Sequence, residues 1–151
     1  MKPMNKAKKT PTIVPVHFDD PAARECFVDD LDRFLGPYTD PRPEILEAVQ
    51  KAETNGFIVE ALDERGGRLG LLVITETPFS RFQPRYHLAY IATAPEARGQ
   101  GVGKRLLAEA RQLTGDQIAL HVGPSNEAAV AFYERLGWKV KYLRMMPVDS
   151  L

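Results

Sequence analysis

The chain lacks most of the features that would assign it to a class by composition alone. A single cysteine, Cys26, stands among 151 residues, so no intrachain disulfide can form, and a reducing cytoplasmic setting is expected. Twenty basic and twenty acidic residues cancel to zero formal charge, which removes any electrostatic case for nucleic acid or an anionic membrane as partner. No apolar run approaches the roughly 18 residues of a spanning helix. The lysine-rich start, Met1 to Thr10, has no apolar stretch behind it that would make a secretory signal, and reads as a flexible, solvated tail. His17, His87 and His121 are scattered without ligand spacing, so no metal is expected. No Ser-His-Asp or Cys-His nucleophile arrangement stands out. Cys26, at helical spacing with Phe27, Leu31, Phe34 and Leu35, reads as a small buried apolar residue.

What the chain does have is concentrated in Arg98-Gly99-Gln100-Gly101-Val102-Gly103, which opens the amphipathic stretch Lys104 to Arg111. Alternating glycines leave the backbone bare and free to adopt positive φ just before a helix. The first helical N–H groups have no intrahelical partner and lie at the positive end of the helix dipole. Together they make a seat for a phosphate or pyrophosphate, with Arg98 as an added cation. Two familiar nucleotide loops fail on spacing. A P-loop would need glycine at Arg98 and a hydroxyl at Arg105; a dinucleotide fingerprint would need Gly-x-Gly-x-x-Gly, whereas Gly99, Gly101 and Gly103 are spaced two and two.

Periodicity supplies the frame. A strand is expected over Thr12–His17, a helix from Asp19-Asp20-Pro21 to Gly36-Pro37, and a second helix from Pro43 to Asn55-Gly56. Strands follow at Phe57–Leu62 and Arg68–Thr75, joined by the Gly-containing loop Asp63–Gly67, and Tyr86–Thr93 follows a loop over 76–85. Val102, Leu106, Leu107, Ala110 and Leu113 make the inward stripe of a third helix. Gln117–Val122 reads as a strand, Asn126 as the N-cap of a helix ended by Gly137, and Trp138–Leu143 as a closing strand. The order β-α-α-β-β-β-α-β-α-β, without repeat or linker, points to a single mixed α/β (α+β) domain over residues 11–151.

The Arg-x-x-Gly-x-Gly loop behind a strand resembles the acetyl-CoA pyrophosphate loop of the GNAT superfamily of N-acetyltransferases. Leu120-His121-Val122, Asn126, Tyr133, Gly137 and Trp138 resemble its second signature, with Trp138 where Phe is commoner. The resemblance covers roughly Phe57 to Tyr142; the first 56 residues match in element order alone. It implies a twisted, mostly antiparallel central sheet of six to seven strands with about four helices. It also implies acetyl-CoA as cosubstrate, an amine acceptor, and the homodimers frequent in such families. Backbone of Arg98, Gly99, Gln100, Gly101, Val102, Gly103 and Lys104 would hold the pyrophosphate. Main chain of Ile91 and Thr93 would pair with the pantetheine arm, with Ala92 between them also counted as cofactor-binding. Asn126 would bond the cofactor or order the loop beneath it, besides being an apt N-cap.

Tyr133 would protonate the departing thiolate, although its stripe with Ala129 and Leu136 also suits a core tyrosine. Members often place a glutamate base before the glycine loop, which this chain lacks; His121 is the favoured substitute and His87 the second. Arg81 and Arg85 in the 76–85 loop would suit an anionic acceptor. The functional expectation is transfer of acetyl from acetyl-CoA to a primary amine of a small molecule, peptide or protein through a ternary complex. The alternative is a non-catalytic acyl-CoA-binding regulatory module.

Overall fold

The computed structural model describes residues 10–150; the expected tail, but for Thr10, lies outside them. Elements follow as β1 (Thr12–Pro15), α1 (Pro21–Leu35), α2 (Arg42–Thr54), β2 (Gly56–Leu62), β3 (Arg68–Glu76), β4 (Tyr86–Thr93), α3 (Val102–Thr114), β5 (Ile118–Leu120) and α4 (Glu127–Arg135). Short 3-10 turns occupy Gly36–Tyr38, Pro95–Ala97 and Val148–Ser150. The described chain divides into two compact units, one ending at His121 and the other beginning at Val122.

The strands form one sheet in sequence order, antiparallel from β1 to β4, with β5 parallel to β4. The mixed, mostly antiparallel class is as expected, but the sheet has 5 strands rather than six or seven. The missing strand is the one expected over Trp138–Leu143. Its apolar and lysine residues do alternate, yet cross-strand pairs, and not alternation alone, stabilise a strand. No ladder partner meets this stretch among the described residues, and Tyr142 and Leu143 are each 82% exposed. β5 also stops short, at Leu120 instead of Val122.

Local chemistry explains the helices. The Asp20 carboxylate accepts the Ala23 N–H at 2.8 Å and caps α1, with Pro21 in the first turn. Phe27, Val28, Leu31 and Phe34 are its buried face. Cys26 falls one residue outside that stripe and is exposed, contrary to the expectation that it is buried. Ile45, Val49 and Ala52 bury the inner face of α2, and Val102, Leu106, Leu107 and Ala110 that of α3. Between these layers runs β3, whose Leu71, Leu72, Val73 and Ile74 are wholly enclosed, as a strand covered on both faces requires.

Gly70 fixes which side is which. A Cβ there would meet Leu106 and Val102 side-chain carbons at 2.7 Å, so Gly70, Leu72 and Ile74 face α3. Leu71, Val73 and Thr75 face the opposite way, as does Glu60, the partner of Leu71 in the ladder. Glu60 and Asp30 of α1 both pair with Arg68, at 2.8 and 3.1 Å, so that second face carries α1.

One irregularity matters for function. Val73 lies opposite Tyr90 but Ile74 lies opposite Leu88, so Ala89 is an extra residue bulged into β4. A bulge shifts the side-chain alternation by one. His87, opposite Thr75, and Tyr90, opposite Val73, therefore point to the same face although they are three residues apart.

Candidate functional site

β4 and β5 part company directly after the Leu88–Leu120 pair. From Ala89 to Thr93 β4 continues with β3 on one side and no ladder on the other among the described residues. The Ala94 N–H donates to the Leu69 carbonyl at 2.8 Å, toward β3. Backbone groups alternate in direction along a strand, so Ala92 also points to β3, while Ile91 and Thr93 present N–H and C=O to the open side. Ile91 and Thr93, the two residues expected to pair with an extended ligand, thus lie with their backbone groups on the open side, while those of Ala92 are taken up by β3.

The open edge leads through the Pro95–Ala97 turn into the glycine loop. Gly99 and Gly101 adopt φ of 76° and 81°, left-handed values that disfavour any side chain. A Cβ on either would meet nothing within 4 Å, so the space above the loop is open. Gly101 is the N-cap of α3 and, among the described residues, no side chain caps the helix. The first bond closing back into the helix runs from the Arg105 N–H to the Gly101 carbonyl at 3.1 Å, which leaves the N–H groups of Val102, Gly103 and Lys104 without an intrahelical acceptor. Gln100 turns its amide to the Glu96 carbonyl at 3.3 Å. Arg98 does not stand free over the loop: its Nη2 donates to the Phe34 carbonyl at 3.2 Å, at the C-terminal end of α1. It ties loop to helix with part of a five-donor guanidinium.

Where the strands part, the side chains on the α1–α2 face carry chemistry. Ala119 pairs with His87, so His121, two residues on, shares its face. The two imidazole rings lie 4.8 Å apart between centroids. Tyr90 donates its hydroxyl to Asp40 Oδ2 at 2.7 Å. Asp40 comes from the link between α1 and α2, and the sequence offered no sign of it beyond a turn-forming Asp-Pro pair. Burial, the hydrogen bond to Asp40 and the charges of Asp40 and Glu44 together raise the Tyr90 pKa well above the ordinary phenol range. Tyr90 is thus a donor held protonated, unsuited to accept a proton. Among the described residues no group of three His, Cys, Asp or Glu could hold a metal ion.

In the unit beginning at Val122, Asn126 Oδ1 accepts the Ala129 N–H at 3.2 Å and so caps α4. Tyr133 stacks obliquely on Phe132 and Trp138, with ring centroids at 5.3 and 5.9 Å. Burial pushes its phenol up to about 12, so it stays protonated at neutral pH.

The 76–85 loop is closed by Thr77, whose hydroxyl reaches the Pro84 carbonyl at 2.8 Å. Phe79 and Phe82 pack edge to face on each other, and Phe82 is 80% exposed. Arg85 is not a spare anion receptor: Nε meets Glu76 at 3.1 Å and its guanidinium covers the Tyr86 ring.

A model described as "Acetyltransferase (GNAT) family" matches residues 23–138. The chain is 41% identical over 58 residues to a 5-NmdU N-acetyltransferase of Pseudomonas phage PaMx11, the match covering 38% of this chain and 41% of that protein. It is 41% identical over 91 residues to mycothiol acetyltransferase of Salinispora arenicola, covering 55% of this chain and 28% of that protein. The chain spans less than half the length of these curated relatives. Among solved structures, the NatC complex bound to Gag peptide and CoA is alike in fold, with a TM-score of 0.68 at 18% identity over 91% of this chain and 87% of that one.

Proposed function

The chain belongs to the acetyltransferase (GNAT) family, and from that premise we propose that it transfers acetyl from acetyl-CoA to a primary amine of a small molecule, peptide or protein, directly within a ternary complex. One observation carries the reading: the open edge of β4 leads, through the Pro95–Ala97 turn and the glycine loop, to the start of α3 and its free N–H groups. An extended amide-bearing arm followed by a pyrophosphate fits that sequence of donors. Ile91 and Thr93 would pair with the arm; the N–H groups of Val102, Gly103 and Lys104 would receive the pyrophosphate.

The reaction asks for a nucleophilic amine, a stabilised oxyanion and a protonated leaving group. The amine nitrogen forms the new C–N bond, the C–S bond breaks, the amine proton goes to a base and the thiolate takes one from an acid. His121, directly or through water, is assigned as base, with His87 beside it. Tyr133 is assigned as acid from its place in the motif, and a phenol with its pKa near 12 is protonated whenever the thiolate leaves. Backbone N–H donors where β4 and β5 separate suit the developing oxyanion, because they need no reorganisation.

The test is release of CoA thiol from acetyl-CoA with pooled amino acids, polyamines, aminoglycosides and peptides with free N-termini or lysines, beside calorimetric binding of acetyl-CoA. Thiol release dependent on one pool supports the reading. Binding without release from any pool would overturn transfer, and absence of binding would remove the cofactor seat as well.

A further inference from the structure

The link between α1 and α2 is held in one place from both ends. Thr39 Oγ1 donates to Asp32 of α1 at 2.5 Å. Arg42, at the start of α2, bonds Asp29 of α1 at 2.7 Å and also Glu25. Between these ties Asp40 is exposed, and the Tyr90 hydroxyl fixes its carboxylate over β4. Tyr90 is the residue that follows the bulge and precedes Ile91, so Asp40 stands above the point where β4 loses β5 as a neighbour.

Arginines of the neighbouring elements are engaged elsewhere. Arg42 is matched by Glu25 and Asp29, Arg33 by Asp30 and Glu96, and Arg85 by Glu76, while Arg98 is turned to the Phe34 carbonyl. Among the described residues, the Asp40 side chain has the neutral phenol as its hydrogen-bond partner, and Glu44 adds a second negative charge that Tyr90 feels. A neutral donor orients a carboxylate without neutralising it, so the site retains a demand for a cation. Which cation follows from reactivity. An ammonium paired with a carboxylate keeps its proton more firmly, which is wrong for the attacking nitrogen and right for a second, non-reacting group.

We propose that Asp40 is a specificity-determining residue of the acetyl-transfer site, binding a distal cationic group of an acceptor that carries two amines or an amine and another cation, with Tyr90 as its positioning residue. The inference rests on the acetyltransferase reading. Acidic acceptors are disfavoured by the same charge.

The experiment uses a pair of amines of equal length, 1,5-diaminopentane and pentan-1-amine, with the full chain and acetyl-CoA. The unmodified protein is expected to prefer the diamine. Asp40→Asn retains an acceptor for the Tyr90 hydroxyl but removes the charge. It should raise KM for the diamine roughly two- to fivefold, as an exposed ion pair is worth, leaving the monoamine and the Kd for acetyl-CoA unchanged. Tyr90→Phe keeps the charge and loses the tether, so it should reduce the diamine preference less. A diamine-to-monoamine ratio unchanged by Asp40→Asn overturns the inference and leaves acetyl transfer intact. So does equal damage to both amines from either variant, which is what a purely structural tether would give. Thiol release with other amines but with neither of this pair also overturns it. No release with any amine overturns the acetyltransferase reading itself.

Discussion

Gly101→Ala tests whether the start of α3 is an anion seat because of its backbone conformation. Gly101 holds φ at 81° as N-cap of α3, and an added Cβ would meet nothing within 4 Å. Collision therefore contributes nothing and the cost is conformational, about 1–2 kcal/mol for an L-residue held in the left-handed region. The protein can absorb that cost in two ways. If the loop keeps its shape, stability falls by the full amount, which for a chain of this size lowers Tm by about 2–8 °C. If the loop relaxes to negative φ, the melting temperature recovers but the N–H groups of Val102 to Lys104 lose their common aim. CoA affinity then falls, roughly tenfold for each 1.4 kcal/mol. Thermal melts and calorimetry with CoA measure both channels on one sample. The two losses should sum to about 1–2 kcal/mol. A Tm shift under about 1 °C together with an unchanged Kd would refute the reasoning, since the left-handed turn would then be neither required nor connected to the ligand.

Three other expectations follow from particular residues. Tyr133→Phe should lower turnover by about a hundredfold or more while leaving the Kd for CoA unchanged; equal turnover would remove Tyr133 as the acid and mark it as a packing residue. Because burial raises the folded-state Tyr133 pKa to about 12, above the roughly 10 of a free phenol, the unfolded chain ionises first as pH climbs. Stability should therefore fall between roughly pH 10 and 12, and denaturant midpoints that stay level across that range would contradict the assignment. Gly56→Ala would set a Cβ 1.9 Å from the Ile74 carbonyl oxygen, backbone against backbone, so β2 and β3 must separate locally. A loss of about 3 kcal/mol is expected by equilibrium denaturation, and a loss under about 0.5 kcal/mol would show the strands to be more yielding there than their register implies.

Most of the frame could be read from the chain because it is written locally. Asp20 and Pro21 start α1, Asn126 starts α4, and the stripes of α1 and α3 face the sheet as their spacing requires. The features that escaped depend on partners. Trp138–Leu143 has the alternation of a strand and, among the described residues, no neighbour to pair with. The bulge at Ala89 left one faint trace, Leu88 and Ile91 being three apart where a regular strand would put them at even spacing, and no Gly or Pro marks it. Cofactor-side residues were more accessible to sequence reasoning than acceptor-side ones for the same reason. A glycine loop and the helix behind it are contiguous, whereas Tyr90 and Asp40 are 50 residues apart.

The acceptor side also shows why charge in a sequence is a poor guide to charge in a site. The 76–85 loop carries Arg81 and Arg85, which on their own invite an anionic acceptor. Folding decides otherwise for Arg85, because the β3–β4 register brings Glu76 against Tyr86 and so sets the carboxylate beside that guanidinium. Asp40, in a stretch that holds Asp32, Arg33, Asp40 and Arg42, looks locally balanced. Yet Arg42 turns back to Glu25 and Asp29 of α1, and Asp40 is left with a phenol. On the proposal made above, an acidic acceptor would meet Asp40 as a like charge and lose affinity as it approached, whereas a cationic one would supply a counter-charge that no described residue provides to Asp40.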